Sequence, residues 1–198
     1  MTMKKILMTM VVALMTTLCA NAQQMFVKPM VGGTLSNVTK ADNSKMKLGL
    51  VGGAEFGYKM SDPFAITAGL LVSMQGNAFK DNNYMKDEKN TLTYLNVPIL
   101  ANYYVAPGLA IKAGVQPGFL LSRKWKGEEN IDGKWVKFDE SGTDGLKKFD
   151  LSIPIGLSYE ISDFVIDARY NLGLTKIVEH YDGKNSVIML TLGYKIPL

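Results

Sequence analysis

From Phe149 the chain alternates without interruption. Phe149, Leu151, Ile153, Ile155, Leu157 and Tyr159 are apolar or aromatic, while Asp150, Ser152, Pro154, Gly156, Ser158 and Glu160 between them are polar or small. A strand sends successive side chains to opposite faces, so this segment predicts a strand with one greasy and one polar or small face. The next segment repeats the pattern. Phe164, Ile166, Ala168, Tyr170, Leu172 and Leu174 share one face, and Asp167, Arg169, Asn171, Gly173 and Thr175 the other.

The same period predicts strands at about 25–36, 47–60, 63–77, 91–105, 108–123, 147–161, 163–176 and 185–197. Most exceed the usual globular strand of about 5–6 residues. They suit a tilted membrane crossing, which takes about 9–11. No charge falls on the greasy faces of the third strand (Phe64 to Met74), the fourth (Leu95 to Tyr103) or the eighth (Ile188 to Ile196). Connections alternate in length. Ser61-Asp62, Ala106-Pro107 and Ser162 make tight turns, and long polar loops are expected at about 37–46, 78–90, 124–146 and 177–184. Short turns at one end and long loops at the other characterise an up-and-down outer-membrane barrel. Tyr58, Phe64, Tyr103, Tyr159, Phe164 and Tyr194 fall on greasy faces near the short turns or the C-terminus. They predict an aromatic girdle at one membrane boundary.

The expected fold is therefore all-β, an eight-stranded antiparallel up-and-down transmembrane β-barrel behind a cleavable signal peptide. Lys4 and Lys5 form a basic n-region, Ile6 to Leu18 an apolar h-region, and Ala20-Asn21-Ala22 a small-x-small cleavage site. The division is 1–22 signal peptide and 23–198 barrel domain, with Gln23 as the first mature residue. Leu18 before Cys19 argues against a lipid-modified cysteine.

Composition adds little, because hydropathy averages out when only alternate residues face lipid. Losing residues 1–22 removes two lysines and no acid, so the net charge falls from +4 to +2 (4 − 2). No clustered basic face points to nucleic acid. Cys19 is the single cysteine, so the mature chain has no thiol chemistry.

Tyr94-Leu95-Asn96-Val97-Pro98-Ile99-Leu100, Gly114-Val115-Gln116-Pro117-Gly118-Phe119-Leu120-Leu121, Phe149-Asp150 and Ala168-Arg169-Tyr170-Asn171-Leu172-Gly173-Leu174 carry a resemblance. Over nearly the whole mature length the sequence resembles the PorT-like outer-membrane β-barrel family of Bacteroidetes, small porin-family barrels. The resemblance implies the barrel fold and an outer-membrane location, and no reaction. The family's name-giving member is associated with a secretion system. Outer-membrane barrels usually end in an aromatic residue; this chain departs from that, ending Tyr194-Lys195-Ile196-Pro197-Leu198.

The polar face carries Lys28, Glu55, Lys59, Lys112, Glu160, Asp167, Arg169 and Lys195. In a narrow barrel such charges must pair, so they predict a plug of salt bridges, with an ion or proton path as the alternative. Arg169 is expected to face inward and to meet Glu160, Asp167 or Glu55. His180 is the single histidine, and Ser186 is near it in sequence. A lipid-modifying hydrolase using that pair is the lesser alternative, and a soluble lipocalin-like carrier of a small apolar ligand the greater one. The carrier would place apolar side chains inside.

The expected function is an outer-membrane barrel of structural, interaction or secretion-accessory type, and not an enzyme. No catalytic, cofactor-binding or metal residue is predicted, and no cofactor. The expected partners are outer-membrane lipid, the barrel assembly machinery during insertion, and a secretion-system or surface partner. Nucleic acid is not among them, and the barrel is expected to be a monomer.

Overall fold

The computed structural model describes residues 25–41, 43–179 and 182–198. The expected leader, the cleavage before Gln23, and His180 lie outside the described residues. The strands are β1 (Met25–Val38), β2 (Ser44–Lys45), β3 (Lys47–Ser61), β4 (Phe64–Phe79), β5 (Met85–Asn96), β6 (Ile99–Ala106), β7 (Leu109–Ile131), β8 (Lys134–Ser141), β9 (Phe149–Ile161), β10 (Phe164–Gly173), β11 (Asn185–Tyr194) and β12 (Ile196–Pro197). Every pairing is antiparallel, and β11 pairs back onto β1, with Thr34 opposite Met189. The sheet thus closes into eight staves, with β5 and β6 sharing one and β11 and β12 another. Closure leaves no free edge within the wall.

The breaks have local causes. The expected strand at 91–105 divides at Val97-Pro98, because Pro98 has no N–H for the ladder. Neighbours keep the remaining groups paired: Val97 N donates to the Pro117 carbonyl at 2.8 Å, and Gly69 N to the Pro98 carbonyl at 3.0 Å. The short connections are Asp62-Pro63, Pro107-Gly108 and Ser162-Asp163. Gly108 (φ 78°) and Ser162 (φ 54°) take the left-handed conformation that a tight turn needs.

The two faces divide as a membrane requires. Along β10, Val165, Asp167, Arg169 and Asn171 are buried, and Phe164, Ile166, Tyr170 and Leu172 are exposed. Leu70, Ile111, Leu157 and Leu190 are likewise exposed on other staves. Polar side chains inside and apolar side chains outside reverse the pattern of a soluble carrier, so the lipocalin-like alternative is overturned. The aromatics gather as expected on the outer surface at the short-turn end. Phe64 pairs with Tyr103, and the Phe164 and Tyr194 rings meet edge to face at 5.3 Å.

One element was not expected. The segment 124–146, read as a loop, extends β7 and returns as β8. Asp132 (φ 51°) and Gly133 (φ 81°) form the hairpin turn, and β5 pairs along the other side of β7. A three-stranded ribbon therefore continues the wall beyond the barrel.

Candidate functional site

Five charged side chains meet inside the barrel: Lys28 from β1, Glu55 from β3, Lys112 from β7, and Asp167 and Arg169 from β10. None is more than 3% exposed. Arg169 holds Asp167 with both arms of its fork, Nε to Oδ1 at 2.5 Å and Nη2 to Oδ2 at 2.8 Å. Nη2 also lies 2.5 Å from Glu55 Oε1. Lys28 Nζ is 2.9 Å from Glu55 and 3.6 Å from Asp167. Lys112 Nζ contacts Asp167 Oδ2 directly and is 3.9 Å from Glu55. Each carboxylate is thus shared among three cations.

Glycines give these long side chains their room. A Cβ on Gly156 would stand 2.2 Å from the Ala168 carbonyl oxygen and 3.0 Å from Arg169 Cγ, one on Gly69 2.7 Å from Glu55 Cγ, and one on Gly193 2.9 Å from Lys28 Cγ. Each of the three lies opposite or beside the charge it accommodates. Their role is space on a packed lumen.

Toward the loop end the filling continues in layers. Met30, Val51, Leu71 and Met189 form an apolar layer. Next come hydrogen-bonded polar groups, in which Gln75 Nε2 and Asn96 Nδ2 both donate to Ser73 Oγ, at 2.8 and 2.7 Å. Val38, Leu92, Tyr94, Leu120 and Ile177 then close a second apolar layer.

At the short-turn end Glu160 is engaged elsewhere than expected. It pairs with Lys195 at 2.9 Å and accepts from Tyr104 Oη at 2.6 Å. It shares a face with Arg169 but lies near the end of β9, so Asp167 and Glu55 are the partners of Arg169. Lys59 pairs with the exposed Asp62, at 3.1 Å. The Ser186 hydroxyl bonds Tyr170 Oη at 3.0 Å on the outer surface.

Among the loops, Asp182 joins Lys176 (2.6 Å) and Lys40 (3.4 Å). The hydrogen bond and charge of Lys176, with those of Lys40, hold its carboxyl below the usual aspartate range. On the ribbon, Lys126 pairs with Asp139 at 2.7 Å and Lys137 with Glu128 at 3.7 Å, while Lys86 sits 4.1 Å from the centre of the Trp135 ring.

A closed eight-stave barrel with an apolar exterior, a charged filled lumen and loops lengthened at one end is an outer-membrane β-barrel protein. The chain belongs to the outer membrane protein beta-barrel domain family, whose sequence profile matches residues 20–179. Its place is the outer membrane. No curated protein matches the chain. Among solved structures it is similar to Ail, the attachment invasion locus protein of Yersinia pestis, at 17% identity and a TM-score of 0.50, covering 87% of this chain and 99% of that one. Ail in complex with the heparin analogue sucrose octasulfate gives 18% identity and 0.51 over the same shares. Neisserial surface protein A gives 11% identity and 0.47 over 88% and 97%. At these identities the likeness to Ail bears on the fold.

Proposed function

We propose that this barrel is a PorT-like interaction protein that works through its loop end, as a structural or secretion-accessory component, and neither conducts solutes nor catalyses a reaction. The observation that carries this reading is the filled lumen. Eight staves leave space only for side chains, and here the space holds five mutually paired charges with packed apolar layers on their loop side. A hydrolase reading finds no support in Ser186, whose hydroxyl is on the outer surface against Tyr170.

In this proposal both termini are periplasmic and the β5–β7–β8 ribbon stands outside the cell. The barrel is a monomer surrounded by outer-membrane lipid, inserted by the barrel assembly machinery after signal cleavage before Gln23. The ribbon meets a surface or secretion-system partner, and nucleic acid is no partner. The heparin analogue bound by Ail does not transfer readily, because Lys126 and Lys137 on the ribbon are already paired with acids.

Trypsin added to intact cells tests the orientation. Cleavage at Lys134, beside the ribbon turn, with Lys59, beside the Asp62-Pro63 turn, protected supports the proposal. Cleavage restricted to the short-turn end reverses it.

A further inference from the structure

We infer that the loop-end mouth is a preformed, blind binding cup for a small monoanionic amphiphile, with an apolar body and a single carboxylate that Arg123 receives. This goes beyond the interaction role proposed above, since the cup's ligand is a small molecule and its site lies at the base of the ribbon, where β5 and β7 leave the barrel wall.

The cup is a cavity of about 520 Å³. That volume suits a small organic ligand, for which pockets run about 300–1,000 Å³. Its apolar wall includes Val38, Phe79, Leu146 and Ile177. Beneath it lie Leu92, Tyr94 and Leu120, which pack with Val38 and Ile177 into the outer apolar layer. Farther in are the polar layer and the five-charge plug, so a molecule entering the cup meets a floor and not a channel.

The walls come from separate loops that are joined to one another. Leu146 and Val178 form a β-bridge between two of them. Lys147 N donates to the Ile177 carbonyl at 2.8 Å, Leu120 N to the Lys148 carbonyl at 2.7 Å, and Thr39 N to the Lys184 carbonyl at 2.9 Å. A ligand therefore need not order the loops, which removes a usual cost of binding.

Arg123 supplies the polar end. Its Nε donates to Asn90 Oδ1 at 3.1 Å, and its guanidinium carbon is 5.3 Å from the centre of the Trp125 ring. These two contacts fix the fork, and among the described residues Arg123 has no salt bridge. A fixed, planar fork in a largely apolar cavity favours a carboxylate that can take two parallel hydrogen bonds. Asp144 also lines the cup. Its charge repels any anion that the fork does not hold, so a ligand with a second negative group is disfavoured against one with a single carboxylate.

The sequence has two tryptophans, so Trp135→Phe leaves Trp125 as a reporter beside Arg123. In that background the full mature protein is placed in lipid nanodiscs and titrated with ortho-bromophenylacetate, whose bromine lies close to its carboxylate and quenches a tryptophan beside it. The matched amine, ortho-bromophenethylamine, is the control. The expected result is saturable quenching, with half-saturation roughly tenfold lower for the carboxylate. Arg123→Gln should erase that preference. Ala41→Phe, which fills the cup, should weaken both compounds while the gel mobility of the folded barrel is kept. Non-saturable quenching, equal for the two compounds and unchanged by Ala41→Phe, would mean partition into the bilayer and overturn the inference. So would a carboxylate preference that survives Arg123→Gln.

Discussion

Arg169 Nη2 and Glu55 Oε1 meet at 2.5 Å across the lumen, from staves separated by β11 and β1. The contact ties together parts of the wall that share no ladder. The cluster around it holds three cations, Lys28, Lys112 and Arg169, against two carboxylates, Glu55 and Asp167. That imbalance decides which change is worst. Removing a carboxylate leaves three positive charges facing one negative, whereas removing a cation leaves two of each. Glu55→Gln and Asp167→Asn should therefore destabilise the refolded barrel most, by about 3–5 kcal/mol. Arg169→Met should cost less, and Arg169→Lys less again. Urea unfolding in lipid vesicles, followed by gel mobility, gives the order. Equal losses for Glu55→Gln and Arg169→Met would contradict the charge count.

The ribbon should unfold independently of the barrel. Asp132 and Gly133 both have positive φ, and nothing lies within 4 Å of where a Gly133 side chain would stand. Gly133→Ala then strains only the turn, by about 1 kcal/mol. Amide exchange should quicken between Glu128 and Lys137 and stay unchanged in β9 and β10. Faster exchange throughout the barrel would show that ribbon and wall form one cooperative unit.

Lowering the pH should release the last long loop. The carboxyl of Asp182 titrates below its ordinary value of 3.8 because Lys176 and Lys40 favour its charged form. A carboxylate depressed in the folded state contributes stability above its unfolded pKa and loses it as pH falls through the folded one. The contacts at Lys176 and Lys40 should therefore persist at neutral pH and fail only below about pH 4. Loop amide exchange at Gly183 and Lys184 against pH is the measurement, and Asp182→Asn should show the released behaviour at every pH. High salt should weaken the tether, since all three groups are exposed.

Much of this was legible in the sequence, for a physical reason. A membrane barrel writes its two faces into every second residue, so the alternation from Phe149 to Leu172 gave β9 and β10 to within a few residues and turned Arg169 inward beside Asp167. Alternation gives direction, not depth. Glu160 faces the lumen as Arg169 does, yet it meets Lys195 near the short-turn end, while Glu55 arrives from a distant stave at the right level. The stagger between staves sets those levels, and no single strand carries it. The ribbon was missed although Asp132-Gly133 is a strong hairpin signal. The charges of Lys124, Lys126, Glu128 and Glu129 hid it by resembling a solvated loop. Pro98 marked the break between β5 and β6 in plain view.

The closed lumen is the central claim, and conductance of the refolded protein in a planar bilayer tests it most directly. With the five charges paired and apolar layers packed toward the loop end, the barrel should insert and show no discrete current steps, at neutral pH and in high salt alike. Glu55→Gln, which unbalances the plug, is the variant in which flickering openings are expected. Stable steps from the unaltered protein, growing in proportion to salt concentration, would mean an open water-filled path and contradict the account.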